Sequence, residues 1–194
     1  MKPRILIFAG SIRKGSLHRG LAMEAAARLT AAGADATFAD LRDYPMPLYD
    51  GDLEAGQGLP AAAKAFKELV RRHDAIVIAS PEYNGSFTAL LKNTIDWISR
   101  PEAGEPFLAV FRGKLAAIMS VSPGPAGGGR GLRHLRELLE MIGVTVIPEQ
   151  LAIARASQAF DSQGRLGRPE DTEAMRTLVA GLSQTLEKRT AVTA

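Results

Sequence analysis

Hydrophobic positions follow two alternating patterns along this chain. Residues 5–9 (ILIFA) form an unbroken apolar run, and residues 36–39, 75–79, 114–121 and 144–147 are short, mostly apolar runs of the same kind. Continuous runs of this length mark parallel strands covered on both faces. Between them the apolar residues space out by three and four, as on a helix with one face against a core. Leu17, Leu21, Ala25 and Leu29 step this way after the first run, and Leu59, Ala62, Phe66, Leu69 and Val70 after the second. The same spacing recurs at Leu90, Leu91, Ile95 and Trp97, at Leu132, Leu135, Leu138, Leu139 and Ile142, and at Met175, Leu178, Val179, Leu182 and Leu186. Helices are therefore expected from Ser16, over 59–73, over 86–100, after Gly131 and near the end, with fraying over 190–194. Residues 43–58, with Pro45, Pro47, Gly51, Gly56 and Gly58, are too turn-rich for a regular element, and 155–168 reads as a polar loop.

Strands that alternate with helices specify an α/β protein with a largely parallel sheet. Five strands joined by right-handed crossovers are most economically ordered 2-1-3-4-5 in a doubly wound sheet. No internal repeat or linker divides the 194 residues, so a single domain over 1–194 is expected. In such sheets ligands sit outside the carboxyl ends of the strands, at the switch point between strands one and three. Residues 10–16, 80–86 and 120–131 all follow carboxyl ends, and they are the three oddest stretches of the sequence. Their coincidence points to one composite site.

Composition narrows the chemistry. There is no cysteine, hence no disulfide framework, thiolate zinc site or cysteine nucleophile. His18, His73 and His134 lie far apart and make no metal-binding spacing, so no metal is expected. The net charge of +3 is spread over 24 basic and 21 acidic residues, which argues against a nucleic-acid surface but suits a small anion. Lys2 and Arg4 lead straight into a short strand without the apolar core of a signal peptide, and no apolar run is long enough to cross a bilayer. A cytoplasmic protein with no membrane partner is expected.

In the first loop, Gly10 breaks the strand and Ser11, Arg13, Gly15 and Ser16 precede a helix. Free amides and the positive end of the helix dipole face such a loop, and hydroxyls and a guanidinium can join them around a phosphate. The same residues also suit a plain helix cap at Ser16 with Arg13 solvated. The loop has neither the ATP-binding nor the dinucleotide glycine pattern. In the second loop Pro81 fixes the start, Gly85 frees the exit and Ser86 is placed to cap the next helix. Its backbone can read the edge of a flat heteroaromatic ring beside the Tyr83 face. Glu82 is better read as solvated or locally bonded than as a general acid, because no histidine or second carboxylate is near it in sequence. Asn84 is either a turn former or a ligand contact. The third loop, Pro123 and Gly124 followed by three glycines from Gly127, either approaches a ring closely or is a mobile connector. Trp97 reads as core or subunit contact, and Arg130, Arg133 and Arg136 as a solvated helix face.

Taken together, Gly10-Ser-Ile-Arg13 with Ser16, Pro81-Glu-Tyr-Asn84 with Leu91-Lys-Asn-Thr-Ile-Asp-Trp97, and Ser122-Pro-Gly124 leading to Gly131 resemble the NADPH-dependent FMN reductase family of chromate-, quinone- and azo-reducing flavoproteins. The likeness covers nearly the whole chain. It implies a flavodoxin-like three-layer fold, non-covalent FMN, NADPH or NADH as co-substrate, a small electron acceptor and a homodimer or homotetramer. Ser11, Arg13 and Ser16 would meet the FMN phosphate, together with the position of His18, where the family usually has asparagine. Pro81, Glu82, Tyr83, Asn84 and Gly85 would flank the isoalloxazine, with Ser120 and the run Ser122, Pro123 and Gly124 on its other side. Thr88-Ala89 stand where the family usually has Pro-Gly, a departure expected to reshape the substrate face. The chemistry would occur on the flavin N5, so no catalytic residue of the chain is required.

A flavodoxin-type electron carrier would share the fold, but those proteins resemble one another in a Thr-rich phosphate loop and an acidic surface, both absent here. A non-catalytic flavin-binding regulator stays open. A response-regulator fold would need an acidic pair after strand one, where Gly10-Ser11 stand.

Overall fold

A computed structural model of the chain describes residues 2–161 and 164–193. Five strands, β1 (Arg4–Ala9), β2 (Asp35–Ala39), β3 (Ala75–Ala79), β4 (Leu115–Val121) and β5 (Thr145–Ile153), pair in parallel in the order β2-β1-β3-β4-β5. Helices α1 (Leu17–Ala31), α2 (Gly51–Gln57), α3 (Ala61–Arg72), α4 (Ala89–Ser99), α5 (Gly129–Met141) and α6 (Pro169–Thr193) connect or follow them. The expected α/β class and strand order are both present.

The strand side chains explain the layering. Alternate residues point to opposite faces, so Ile5, Ile7, Val77 and Met119 join α1 and α6 in one core. Leu6, Phe8, Ile76, Ile78 and Ile118 join α3, α4 and α5 in the other. Both faces of β1 and β3 are sealed, which is why those strands read as continuous apolar runs.

Several elements differ from expectation, each for a local reason. Residues 43–58 contain a 3₁₀ turn (Leu41–Asp43 reaches into them) and helix α2. Asp50 Oδ1 accepts the amides of Asp52 and Leu53, and Asp52 and Glu54 suit the first turn electrostatically, so two glycines are carried inside the helix. Helix α4 is capped by Thr88, not Ser86: Thr88 Oγ1 accepts the Leu91 amide at 3.2 Å. Strand β5 continues past 147 through Pro148. Ala116 faces Val146 while Ile118 faces Gln150, so a bulge absorbs the proline on this outermost strand. Arg136 is no solvated residue there. Its guanidinium donates to the carbonyls of Val146 (3.3 Å), Ile147 (3.0 Å) and Pro148 (3.5 Å). The 155–168 stretch includes a 3₁₀ turn (Ala156–Gln158) and a bridge between Phe160 and Leu166. Helix α6 runs to Thr193, through most of the stretch expected to fray, and Ala194 lies outside the described residues.

Trp97 belongs to the core. It is fully buried, and its Nε1 donates to the Pro47 carbonyl at 2.8 Å. Asn93 clasps the same segment, donating to Pro47 O at 2.8 Å and accepting the Tyr49 amide at 2.7 Å. Among the described residues no helix is long and apolar enough to cross a membrane.

Candidate functional site at the strand carboxyl ends

The sheet ladder runs past the strands into all three loops. Gly10 N donates to Ala79 O (2.9 Å), Ser80 N to Met119 O (2.8 Å) and Ser122 N to Ile153 O (2.9 Å). Each loop therefore leaves the sheet from a fixed point beside its neighbour.

The loop after β1 is folded by its own polar groups. Ser11 Oγ accepts the Arg13 amide at 3.3 Å, the Ser16 amide donates to Arg13 O at 3.1 Å, and Gly15 supplies a positive φ of 69°. Ser16 caps α1 by accepting the Arg19 amide at 3.4 Å. The amides of Leu17 and His18 find no acceptor among the described residues, as expected at a helix start. Arg13 is exposed and has no acid partner among the described residues. Thr88 ties this loop to α4, its hydroxyl donating to Gly10 O at 2.7 Å. A Cβ on Gly10 would lie 3.2 Å from Leu91 Cβ, so glycine permits that close approach.

His18 turns inward. Its Nε2 accepts the Val121 amide at 3.2 Å and lies 3.3 Å from Ser120 Oγ, which puts the ring proton on Nδ1. Burial, aided by the Arg13 charge, lowers its pKa to about 4, so the ring is neutral at physiological pH. It joins the start of α1 to the end of β4.

The loop after β3 is a tight reversal. Tyr83 and Ser86 exchange backbone hydrogen bonds (2.8 and 3.1 Å), with positive φ at both Asn84 (52°) and Gly85 (81°), as in a type I′ turn. Asn84 is thus a turn former. Glu82 is neither solvated nor locally bonded. Its Oε2 accepts the amides of Arg130 and Gly131, both at 3.0 Å, and so caps α5, whose own N-cap Gly128 has no side chain to offer.

The glycine run is no loose connector, because it packs closely against the sheet. A Cβ on Gly127 would lie 2.7 Å from the Ala152 backbone, and one on Gly128 would lie 2.0 Å from Ser120 Oγ. These glycines let α5 start hard against β4 and β5. Ser122 Oγ accepts the Gly124 amide at 3.2 Å and shapes the turn before them.

Between the loops lies an open cleft of about 260 Å³. Ser11, Arg13, Ser16, His18, Pro81, Glu82, Tyr83 and Ser122 border it, so the structure brings these expected site residues together. Asn84, Gly85, Ser120 and Gly124 do not border it. They hold the turn, the His18 contact and the last loop in place. Pro123 of the Ser122-Pro-Gly124 run borders the cleft as well, whereas Leu17 and Val121 border it and were missed by the motifs, although each adjoins an expected residue. Larger hollows occur at the opposite, amino end of the sheet, by Arg4 and Asp35 and by Asp74 and Lys114. The cleft is singled out by its place at the β1/β3 switch point, not by size.

Comparison with known proteins decides the family. Residues 3–158 match the model of the NADPH-dependent FMN reductase family. The chain belongs to that family. It is 40% identical over 164 residues to an NAD(P)H-dependent FMN reductase of Pseudomonas aeruginosa, covering 84% of each chain. It is 36% identical over 185 residues to an NADPH:quinone oxidoreductase of Arabidopsis thaliana, covering 92% of this chain and 89% of that one. Among solved structures, the flavoenzyme NAD(P)H:(acceptor) oxidoreductase of Paracoccus denitrificans superposes with a TM-score of 0.80 at 27% identity, covering 96% and 98%. The expected flavodoxin-like fold, the oxidoreductase class and the use of FMN with NAD(P)H are borne out.

Within this reductase family the two departures take on structural roles. Thr88 is buried and its hydroxyl donates to Gly10 O, so it braces the first loop. His18 braces the same loop from the side of β4. The donor set fits a phosphate-bearing flavin: a guanidinium and helix-start amides without partners among the described residues at one end of the cleft, a rigid backbone turn with an aromatic face at the other.

Proposed function

We propose that the cleft seats FMN with its phosphate on loop 10–16 and its ring between the turn at 83–86 and residues 122–124, serving electron transfer from NAD(P)H to a small acceptor. FMN, when bound, supplies the hydride chemistry. The chain's own residues bind and orient. Arg13, Ser11, Ser16 and the first amides of α1 hold the phosphate. His18, Thr88 and Glu82 fix the loops relative to one another. No side chain of the cleft is assigned a proton-transfer role: Glu82 is committed to α5, and His18 accepts a backbone N–H. The observation that carries this reading is Arg13 with no acid partner, beside amides with no acceptor, among the described residues at the switch point of the sheet.

A quinone is the acceptor class best supported, because the Arabidopsis relative is an NADPH:quinone oxidoreductase. A cytoplasmic setting and a homo-oligomer complete the proposal. For the oligomer the support is Leu48, 79% exposed yet held on both sides by the Asn93 and Trp97 bonds to Pro47 and Tyr49. Sedimentation showing a monomer at micromolar concentration would remove that part. The central test is the visible spectrum of the purified protein, followed by anaerobic addition of NADPH and then a quinone. Flavin bands that bleach with NADPH and return with quinone are expected. A colourless protein that takes up no added FMN would overturn the reading. Bands that bleach only with a protein partner would favour an electron carrier.

A further inference from the structure

A second hollow, of about 460 Å³, opens on the outer side of loop 10–16 and shares Arg13, Ser16 and Leu17 with the cleft. Arg19 from the first turn of α1 and Arg42 from the 3₁₀ turn after β2 form its far wall, with Phe160 on another side. Both arginines are held by one carboxylate. Asp40 Oδ2 accepts Arg19 Nε at 2.9 Å and Arg42 Nη2 at 2.6 Å. Arg19 also lies over the Phe38 ring, 5.4 Å from its centroid. The bonds from Arg42 first, then from Arg19, hold the Asp40 carboxyl well below the usual carboxylate range despite burial.

Asp40 bonds both guanidiniums, and Asp43 lies near enough to Arg42 to act on it electrostatically. Arg13, the third cation on the hollow, is committed to the FMN phosphate in the reading above. Asp161 on the rim accepts the Arg165 amide at 2.9 Å and the Arg165 guanidinium at 3.4 Å. Arg19 Nη2 and Arg42 Nη1 have no acceptor among the described residues, and the two side chains are 38% and 47% exposed. Two oriented forks with open donors suit the oxygens of a phosphate monoester better than a single ammonium would.

We propose that this hollow is a subsite for the ribose 2′-phosphate of NADPH, making the reductase prefer NADPH to NADH. The inference rests on the flavin reading above, since the reductant must approach through the adjoining cleft. That phosphate is the only group that separates the two nucleotides, and it carries roughly 1.5 to 2 negative charges.

The test uses the FMN-loaded protein titrated calorimetrically with adenosine 2′,5′-bisphosphate and adenosine 5′-monophosphate. The bisphosphate should bind about tenfold tighter, with the margin shrinking as salt rises. Arg42→Gln should remove most of that margin and lower the ratio of kcat/KM for NADPH over NADH about tenfold, with the FMN Kd unchanged. Arg19 still pairs Asp40 in this variant, so no buried carboxylate is stranded. Arg42→Lys should recover part of the margin through its charge alone. A flavin-loaded wild type that binds both adenosine nucleotides equally would refute the subsite and leave the flavin reading intact. So would an Arg42→Gln protein that loses both nucleotides, or FMN, to the same degree. A wild type that holds no FMN would instead refute the flavin reading.

Discussion

The loop after β1 and the loop after β3 border the same cleft but use their polar groups in opposite ways. In residues 10–16 the strongest donors point outward: Arg13 lacks an acid partner, and two helix-start amides lack acceptors, among the described residues. In residues 81–86 the polar groups are consumed inside the protein, with the Tyr83–Ser86 backbone pair closing the turn and Glu82 capping α5. The first loop is built to gain bonds when an anion arrives. The second is built to present a shape that already exists. Loss of the outward Arg13 charge in the first should alter affinity without altering stability, and loss of the Glu82 cap in the second should do the reverse.

The largest expected effect separates the two. Arg13→Ala should weaken FMN by about ten- to a hundred-fold, from the loss of a charge-assisted bond. Riboflavin, which has no phosphate, should bind both proteins alike in fluorescence-quenching titrations, and the melting temperature should not move. Equal losses for FMN and riboflavin would erase the distinction between the loops.

Glu82→Ala should show the inverse signature. Loss of the α5 cap should cost about 1–2 kcal/mol in urea unfolding, with FMN and riboflavin weakened to the same small extent. Glu82→Gln keeps an acceptor oxygen and should recover most of the stability. An alanine variant of full stability that loses FMN selectively would make Glu82 a ligand contact after all.

His18 lies between the two cases, since it braces the first loop from within. Its folded pKa of about 4 lies below the ordinary 6.5, so as pH falls the unfolded chain takes up a proton first. Its contribution to stability is therefore complete above pH 6.5 and is lost as pH falls toward 4. The loss should be on the order of 1 kcal/mol at pH 5.5. Urea midpoints at several pH values should show this slope in the wild type and a shallower one in His18→Asn.

The smallest effect is expected at Asn84. Glycine tolerates positive φ at least as well, so Asn84→Gly should change stability by no more than about 0.5 kcal/mol and FMN affinity less than about twofold. A large drop in affinity, measured by the same quenching titration, would restore the side chain as a ligand contact.

The sheet order and the three loops were legible because buried parallel strands leave continuous apolar runs such as ILIFA and AIVIA, and each loop follows one directly. The Asn84-Gly85 turn was half legible, from residue types that favour positive φ. What escaped were the ties between loops. Glu82 meets Arg130 and Gly131, and His18 meets Val121, across separations that leave no periodic trace. The same blindness misread Gly127 and Gly128, whose constraint is the backbone of β5 and the Ser120 hydroxyl. Helix α2 was hidden for a different reason. Its glycines outweighed the Asp50 cap in a composition-based reading, whereas the cap's two hydrogen bonds decide the conformation.

Arg136 and Pro148 have a consequence for how copies of this chain can meet. Strand β5 is a border of the sheet, where unpaired amides and carbonyls ordinarily invite a further strand from another molecule. Over residues 146–148 that invitation is withdrawn: Pro148 has no N–H to give, and the three carbonyls already face the Arg136 guanidinium. A continuous intermolecular sheet cannot be extended across this border. An assembly that uses the amino-terminal half of β5 must therefore meet it through side chains, and strand addition is left to the β2 border at the far side of the sheet.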